Sequence, residues 1–338
     1  METIQLHRAI GDGESPTVSE PYNRPFRAIR MTNRVDWRVP GAAALAVIIW
    51  GGNFPVMKIV VASADYFLVG ALRTVLVGLP MWLTLAYVRP ALPRSRATWA
   101  FLLTGAVGNY VAFPVLASLG LTSTTAARAG FIFSSAPAVT ACLGALVMGD
   151  RISPRRGAGI ALSLIGVAVL IGPELSIQGG LGAWQGDLLI FLATVGSAIS
   201  YVSGAYLGRR IGAWIVVAYS LAFASVPLSG AILLNWRSEL QSISPGAWAG
   251  LIYLSFFGTL AANALWIWAL SHGSIVRIGS FQFLQPVFTV AIAAVFLGER
   301  LSWAAVAGGV IVLMGVGLVQ VRTPSAKASP SDASIGSV

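Results

Sequence analysis

The chain has 338 residues, 56% of them hydrophobic and only 10% charged, where an ordinary soluble domain carries about 25% charged residues. That composition excludes an ordinary soluble enzyme, and its hydrophobicity excludes a disordered chain. It points to an all-α membrane protein in which about 20 apolar residues make one crossing.

The net charge of +10, from 22 Lys+Arg against 12 Asp+Glu, would suggest nucleic acid as the partner of a soluble protein. No basic stripe or aromatic RNA-binding pattern accompanies it, so the expected partners are a lipid bilayer and a small solute, with no nucleic acid. One cysteine, Cys142, and two histidines, His7 and His272, build neither an internal disulfide nor a metal site, and no cofactor is expected.

Residues 1–39 hold Arg24, Arg27, Arg30, Arg34 and Arg38 among prolines, without the apolar core of a cleavable signal peptide. They read as a disordered basic tail. Ten apolar segments follow, at 41–61, 65–88, 97–119, 125–147, 155–171, 184–206, 212–234, 246–270, 275–297 and 303–321. Each is close to one helical span, and all are too long and too uniformly apolar for β-barrel strands. Residues 323–338 are small and polar, a second disordered tail.

An even number of crossings puts both termini on one face. If that face is cytoplasmic, the inner loops hold Arg89, Arg94, Arg96, Arg151, Arg155, Arg156, Arg209 and Arg210, whereas Arg237 and Arg300 are the clear outer charges. Basic residues collect on the cytoplasmic side of multi-pass proteins. Both termini are therefore expected inside, and the protein is expected to be a monomer.

A shift of 149 residues superposes Arg128 on Arg277, Gly130 on Gly279, Pro137 on Pro286 and Thr140 on Thr289. It also superposes Gly149-Asp150-Arg151-x-Ser153 on Gly298-Glu299-Arg300-x-Ser302, and Gly159 and Gly166 on Gly308 and Gly315. Small residues match by chance in membrane helices, but Arg, Pro and Gly-acid-Arg-x-Ser together do not. The copies are five helices apart, an odd number, so one is inserted upside down relative to the other. Inverted repeats form the two halves of transport pathways, with the solute site at mid-depth.

WGGNFPVMK (50–58), ARAGFIFSSAPAVTACLGALVMGDRIS (127–153), GDLLIFLATVGSAISY (186–201) and RIGSFQFLQPVFTVAIAAVFLGERLS (277–302) resemble the tandem EamA domains of the drug/metabolite transporter superfamily. The resemblance covers 41–321 and is nearest to bacterial exporters of aromatic and other neutral amino acids. Gly149-Asp150-Arg151 departs from the usual Gly-Glu-Arg. The resemblance implies ten transmembrane helices as two inverted five-helix repeats, 41–171 and 184–321, and a transporter rather than an enzyme.

Polar side chains within spans are costly and face a cavity or another helix. The ninth segment aligns Gln282, Gln285 and Thr289 on one face; the eighth aligns Thr259, Asn263 and Trp266; the sixth aligns Thr194, Ser197 and Tyr201. The first offers Trp50 and Asn53 beside Gly51, Gly52 and Pro55, the third Asn109, Tyr110 and Phe113, and the fourth Phe131 and Ser135.

Pro137 and Pro286 are expected to break their helices at matching depths beside the cavity. The expected pathway is Asn53, Asn109, Tyr110, Phe131, Ser135, Tyr201, Asn263, Trp266, Gln282 and Gln285, with no catalytic residues. Interhelical glue is the bland alternative for each. Arg73, well inside the second segment, is balanced between structure and function, while Lys58 and Arg128 near helix ends are expected to snorkel.

No Asp or Glu falls near the middle of any span, whereas proton-coupled carriers usually keep one there. The expected activity is export of small organic metabolites, neutral or aromatic amino acids first, by alternating access, downhill and without proton coupling. The alternative is a proton-coupled efflux carrier for drug-like compounds or another metabolite, with Asp187 as the main candidate proton carrier. Ser203-Gly204 and His272 are too little for an intramembrane hydrolase, no P-loop is present, and the tails are too small for a scaffold or receptor.

Overall fold

The computed structural model describes residues 36–90, 95–149, 152–177, 184–235, 239–297 and 303–320. Both predicted tails lie outside these residues apart from a few at their edges. Among the described residues the chain is helical without strands, in ten long helical stretches and one short 3-10 turn at Glu239–Ser242. The long stretches are α1 (Arg38–Val61), α2 (Tyr66–Val88), α3 (Arg96–Ser123), α4 (126–148), α5 (Pro154–Ile177), α6 (Trp184–Ile211), α7 (Ala213–Asn235), α8 (Pro245–His272), α9 (275–297) and α10 (Trp303–Gln320). Seven of them, α1–α4 and α6–α8, hold segments long and apolar enough to cross a bilayer.

Local chemistry sets the ends. Asp65 caps α2, accepting from the N–H groups of Phe67 at 2.8 Å and Leu68 at 3.3 Å, and Thr125 and Ser244 cap α4 and α8 through their hydroxyls. Gly149 ends α4 at φ 68°, and Gly212 turns the chain between α6 and α7 at φ 94°. Both conformations are open to glycine at no steric cost.

Several helices are interrupted, and the interruptions repeat. Stretches of π-helix occur at Ala106–Ala112 in α3 and Tyr253–Ala261 in α8, and the first, moved by 149 residues, falls within the second. α4 breaks at Ser134 and Ser135, and α9 tightens to a 3-10 turn over Ser280–Leu284. Pro137 and Pro286 each follow directly as the second residue of the next helical piece, where a missing N–H costs nothing.

Among the described residues, the buried ones form two large core clusters and three smaller ones. One large cluster holds Trp50, Tyr110, Tyr201, Ala205, Leu221, Trp266 and Leu270; the other holds Phe54, Met57, Val60, Phe113, Leu121, Phe133, Ile190 and Leu251. α1, α3, α6 and α8 each pass from one cluster to the other. The fifth helices of the two copies, α5 and α10, cross at the four glycines that the shift relates, Gly159 meeting Gly315 and Gly166 meeting Gly308. A Cβ on Gly159 would lie 2.8 Å from the Gly315 carbonyl, and one on Gly315 would lie 2.7 Å from the Gly159 carbonyl. Dispersion between close backbones is the main attraction available to helices in lipid.

Candidate functional site

The irregular backbone gathers at one place. Pro55 has no N–H to offer the Gly51 carbonyl, and Thr289 Oγ1 donates to that carbonyl at 2.7 Å. Gln285 Nε2 donates to the Trp50 carbonyl at 3.1 Å, and the Trp50 indole N–H donates to the Gly258 carbonyl at 2.9 Å. Pro114 leaves the Tyr110 carbonyl open in the same way, and Thr74 Oγ1 donates to it at 2.8 Å. The first helix of one copy is thus stitched to α8 and α9 of the other.

A chain of polar side chains crosses the centre. Ser197 Oγ donates to Asn109 Oδ1 at 3.1 Å, Asn109 Nδ2 to Asn263 Oδ1 at 2.7 Å, and Asn263 Nδ2 to the Thr259 carbonyl at 2.8 Å. The Thr259 hydroxyl donates five residues back to Leu254, as the π-helical register permits, and accepts from Arg73 Nε at 2.9 Å. Arg73 is 3% exposed; it also approaches Met57 Sδ at 3.5 Å and lies 5.6 Å from the centre of the Phe113 ring.

These groups surround a small cavity lined by Trp50, Asn53, Arg73, Asn109, Phe113, Phe133, Tyr201, Gly258, Thr259, Asn263 and Gln285. Its volume is about 10 Å³, about the room of one water molecule. Asn53 Oδ1 and Gln285 Oε1 are buried there without a hydrogen-bond partner. Gln282 lies beside the Tyr201 hydroxyl, yet neither of its amide atoms makes a bond of normal geometry.

Aromatic rings close the cavity from both sides. Trp50, Tyr201 and Trp266 form one triad with centroids 5.4–5.9 Å apart. Phe54, Phe113 and Phe133 form the other, 5.3–6.4 Å apart. Each triad belongs to a different core cluster.

Of the sequence-derived pathway residues, Asn53, Asn109, Tyr201, Asn263 and Gln285 line the cavity. Tyr110, Trp266 and Gln282 are buried close to it. Phe131 and Ser135 are not brought in. Phe131 packs towards Val167, Leu170 and Phe283 and opens onto a separate groove with Asp187 and Phe191, and Ser135 Oγ donates to the Ile132 carbonyl. Sequence reasoning missed Phe133 and did not place Arg73 in the pathway. For Arg73 the signal was present: a guanidinium well inside an apolar helix with no acid in register.

The helix-end cations do not simply snorkel. Lys58 donates to the carbonyls of Leu121 and Thr124 at the end of α3. Arg209 donates to those of Leu270, Ser271 and Gly273 at the end of α8, at 2.7 Å for Gly273. The shift of 149 residues carries Leu121 and Thr124 onto Leu270 and Gly273. Met57 and Leu121 belong to one core cluster, Ala205 and Leu270 to the other. The same cap therefore recurs in both copies, once beside each core cluster. Arg128 is ion-paired with Asp187, which also accepts from Thr124 Oγ1 at 2.7 Å.

Two sequence-related copies packed around a buried polar centre are the architecture of a membrane transporter. The profile of the EamA-like transporter family matches residues 40–172 and again 184–321. The uncharacterized transporter YdeK of Bacillus subtilis is 32% identical over 80% of this chain and 93% of its own. Proteins named as probable amino-acid metabolite efflux pumps in Salmonella typhimurium and Escherichia coli are 29% and 28% identical, each over 81% of this chain and 92% of its own. A solved crystal structure shares the fold at a TM-score of 0.68 and 17% identity, covering 83% of this chain and 96% of that one. The chain belongs to the EamA-like transporter family, with two EamA domains.

Proposed function

We propose that the protein exports small organic metabolites, neutral or aromatic amino acids first, by alternating access through the cavity between its two halves. The observation that carries this reading is an enclosed polar centre held between two aromatic triads. Amides and hydroxyls beside large rings suit a solute with a compact polar end and an apolar side chain. The relatives named as amino-acid metabolite efflux pumps support the same class.

The cavity holds about one water, far less than an amino acid needs. Entry therefore requires one triad to part while the other stays closed. In this reading all ten helical stretches cross the membrane, 41–171 and 184–321 are the two halves, and both termini face the cytoplasm of a bacterial inner membrane. The monomer is the working unit. Transport runs down the solute gradient without proton coupling, because among the described residues no carboxylate lines the cavity and Asp187 is engaged by Arg128 and Thr124.

The test is counterflow. Proteoliposomes of the purified protein, preloaded with one amino acid at a time, should accumulate external labelled L-phenylalanine or L-leucine several-fold over protein-free vesicles. Absence of counterflow for every amino acid, with counterflow for an uncharged aromatic compound, refutes the solute class.

A further inference from the structure

Among the described residues Arg73 is a cation without an anion. It lies within the membrane-spanning part of α2, and its guanidinium reaches a hydroxyl, a thioether and an aromatic face. Among the described residues no carboxylate pairs with it; the salt bridge Arg128–Asp187 lies on other helices, away from the cavity lining. A buried charge without a counter-ion is strongly unfavourable, and such residues in membranes usually face a partner or a pathway. Arg73 faces the pathway, since it lines the central cavity.

The opposite polarity lies next to it. Asn53 Oδ1 and Gln285 Oε1 are both at least nine-tenths buried, both in the cavity lining, and both accept no hydrogen bond. A Cβ on Gly258 would overlap Asn53 Oδ1 while lying 3.7 Å from Arg73 Nη2, so amide oxygen and guanidinium are close neighbours across one glycine. The rings of Trp50 and Tyr201, stacked on one another, also line the cavity, and aromatic rings attract ammonium groups. The cavity thus offers one donor fork for an anion, two open acceptors for a cation and an aromatic wall. An isolated carboxylate would leave the acceptors open, and an isolated amine would leave the guanidinium uncompensated.

We propose that Arg73 docks the carboxylate of the transported solute, while the amide oxygens of Asn53 and Gln285 receive its ammonium group. The site then selects zwitterionic α-amino acids over the corresponding amines, amides and acids. This rests on the amino-acid reading above. An Arg–carboxylate pair forms two parallel charge-assisted bonds, and Trp50 holds the acceptor side in place through its bond to the Gly258 carbonyl.

The experiment uses counterflow of labelled L-phenylalanine and L-leucine in proteoliposomes of the full chain, with two readouts. On the unsubstituted protein, unlabelled L-phenylalanine should compete at least about tenfold more strongly than L-phenylalaninamide, which lacks the carboxylate charge, or 3-phenylpropionate, which lacks the ammonium. Arg73→Gln should lower amino-acid flux by about tenfold or more, and Arg73→Lys should recover part of it. In Arg73→Gln the advantage of L-phenylalanine over its amide should disappear.

If the amide competes as well as the amino acid on the unsubstituted protein, Arg73 is structural and the inference fails, whatever the variants do. That outcome leaves the amino-acid reading standing. If the unsubstituted protein moves neither amino acid, both fail together.

Discussion

Gly258 is the position at which one added carbon tests the cavity directly. It sits in the π-helical stretch of α8 and lines the cavity. Its carbonyl takes the Trp50 indole N–H at 2.9 Å, a bond that Gly258→Ala leaves in place. The new Cβ would overlap Asn53 Oδ1 and come within 3.4 Å of Asn53 Cγ, so the amide must turn away. A methyl group is about the size of the one water that 10 Å³ accommodates, and the cavity is filled.

Overpacking costs about 1–3 kcal/mol, and replacing glycine by alanine in a helix returns about 1 kcal/mol. The net change in stability is then about 0–2 kcal/mol. Transport should suffer more, because one solute hydrogen bond is lost, about 0.5–1.5 kcal/mol or about 2- to 13-fold, and the solute meets a steric block as well. Counterflow per folded protein should fall at least about fivefold, while the thermal midpoint in detergent moves by a few degrees. Gly130→Ala is the control, since a Cβ there meets nothing within 4 Å, and it should transport normally. Full transport by Gly258→Ala, or an equal loss in Gly130→Ala, would refute the placement of the pathway.

Gly315→Ala places a Cβ 2.6 Å from the Ser163 nitrogen and 2.7 Å from the Gly159 carbonyl; it should destabilise the detergent-solubilised protein by about 1–3 kcal/mol and leave flux per folded molecule unchanged. Asp187→Asn removes the partner of a pair whose side chains are about a fifth exposed, worth about 1 kcal/mol or less. Counterflow should survive both this change and collapse of the proton gradient. Uphill uptake driven by a pH step, and abolished in Asp187→Asn, would overturn the downhill mechanism. Pro16→Cys and Ser331→Cys, in the two tails, should each resist an impermeant thiol reagent on intact cells; labelling from outside at either tail would overturn the shared cytoplasmic location.

The helical stretches are legible in the sequence because a long apolar run says little else. The starts Asp65, Thr125 and Ser244 are legible as side-chain caps. The interruptions are legible only in part. Pro137 and Pro286 point to breaks in the fourth and ninth segments, but the fourth breaks at Ser134 and Ser135, ahead of the proline, and the π-helical stretches of α3 and α8 carry no proline signal inside them.

This is why proximity to Pro137 pointed to Phe131 while Phe133 lines the cavity: two residues along a helix turn a side chain through about 200°. Asn109 and Asn263 stood out as amides in apolar surroundings, but their mutual bond spans 154 residues and leaves no local trace. Arg73 was visible as an anomaly, and its role depends on which residues of α1, α8 and α9 surround it.

The two π-helical stretches bear on how the molecule arose. A π-bulge is a one-residue insertion that the helix absorbs locally, and such bulges are rare and concentrate at functional sites. Here one lies in α3 and one in α8, at places related by the same shift that aligns the prolines and glycines. A single insertion inherited by both copies accounts for the pair more simply than two separate ones. On that account the bulge predates the duplication, and the two domains carry it on helices α3 and α8, which meet through Asn109 and Asn263.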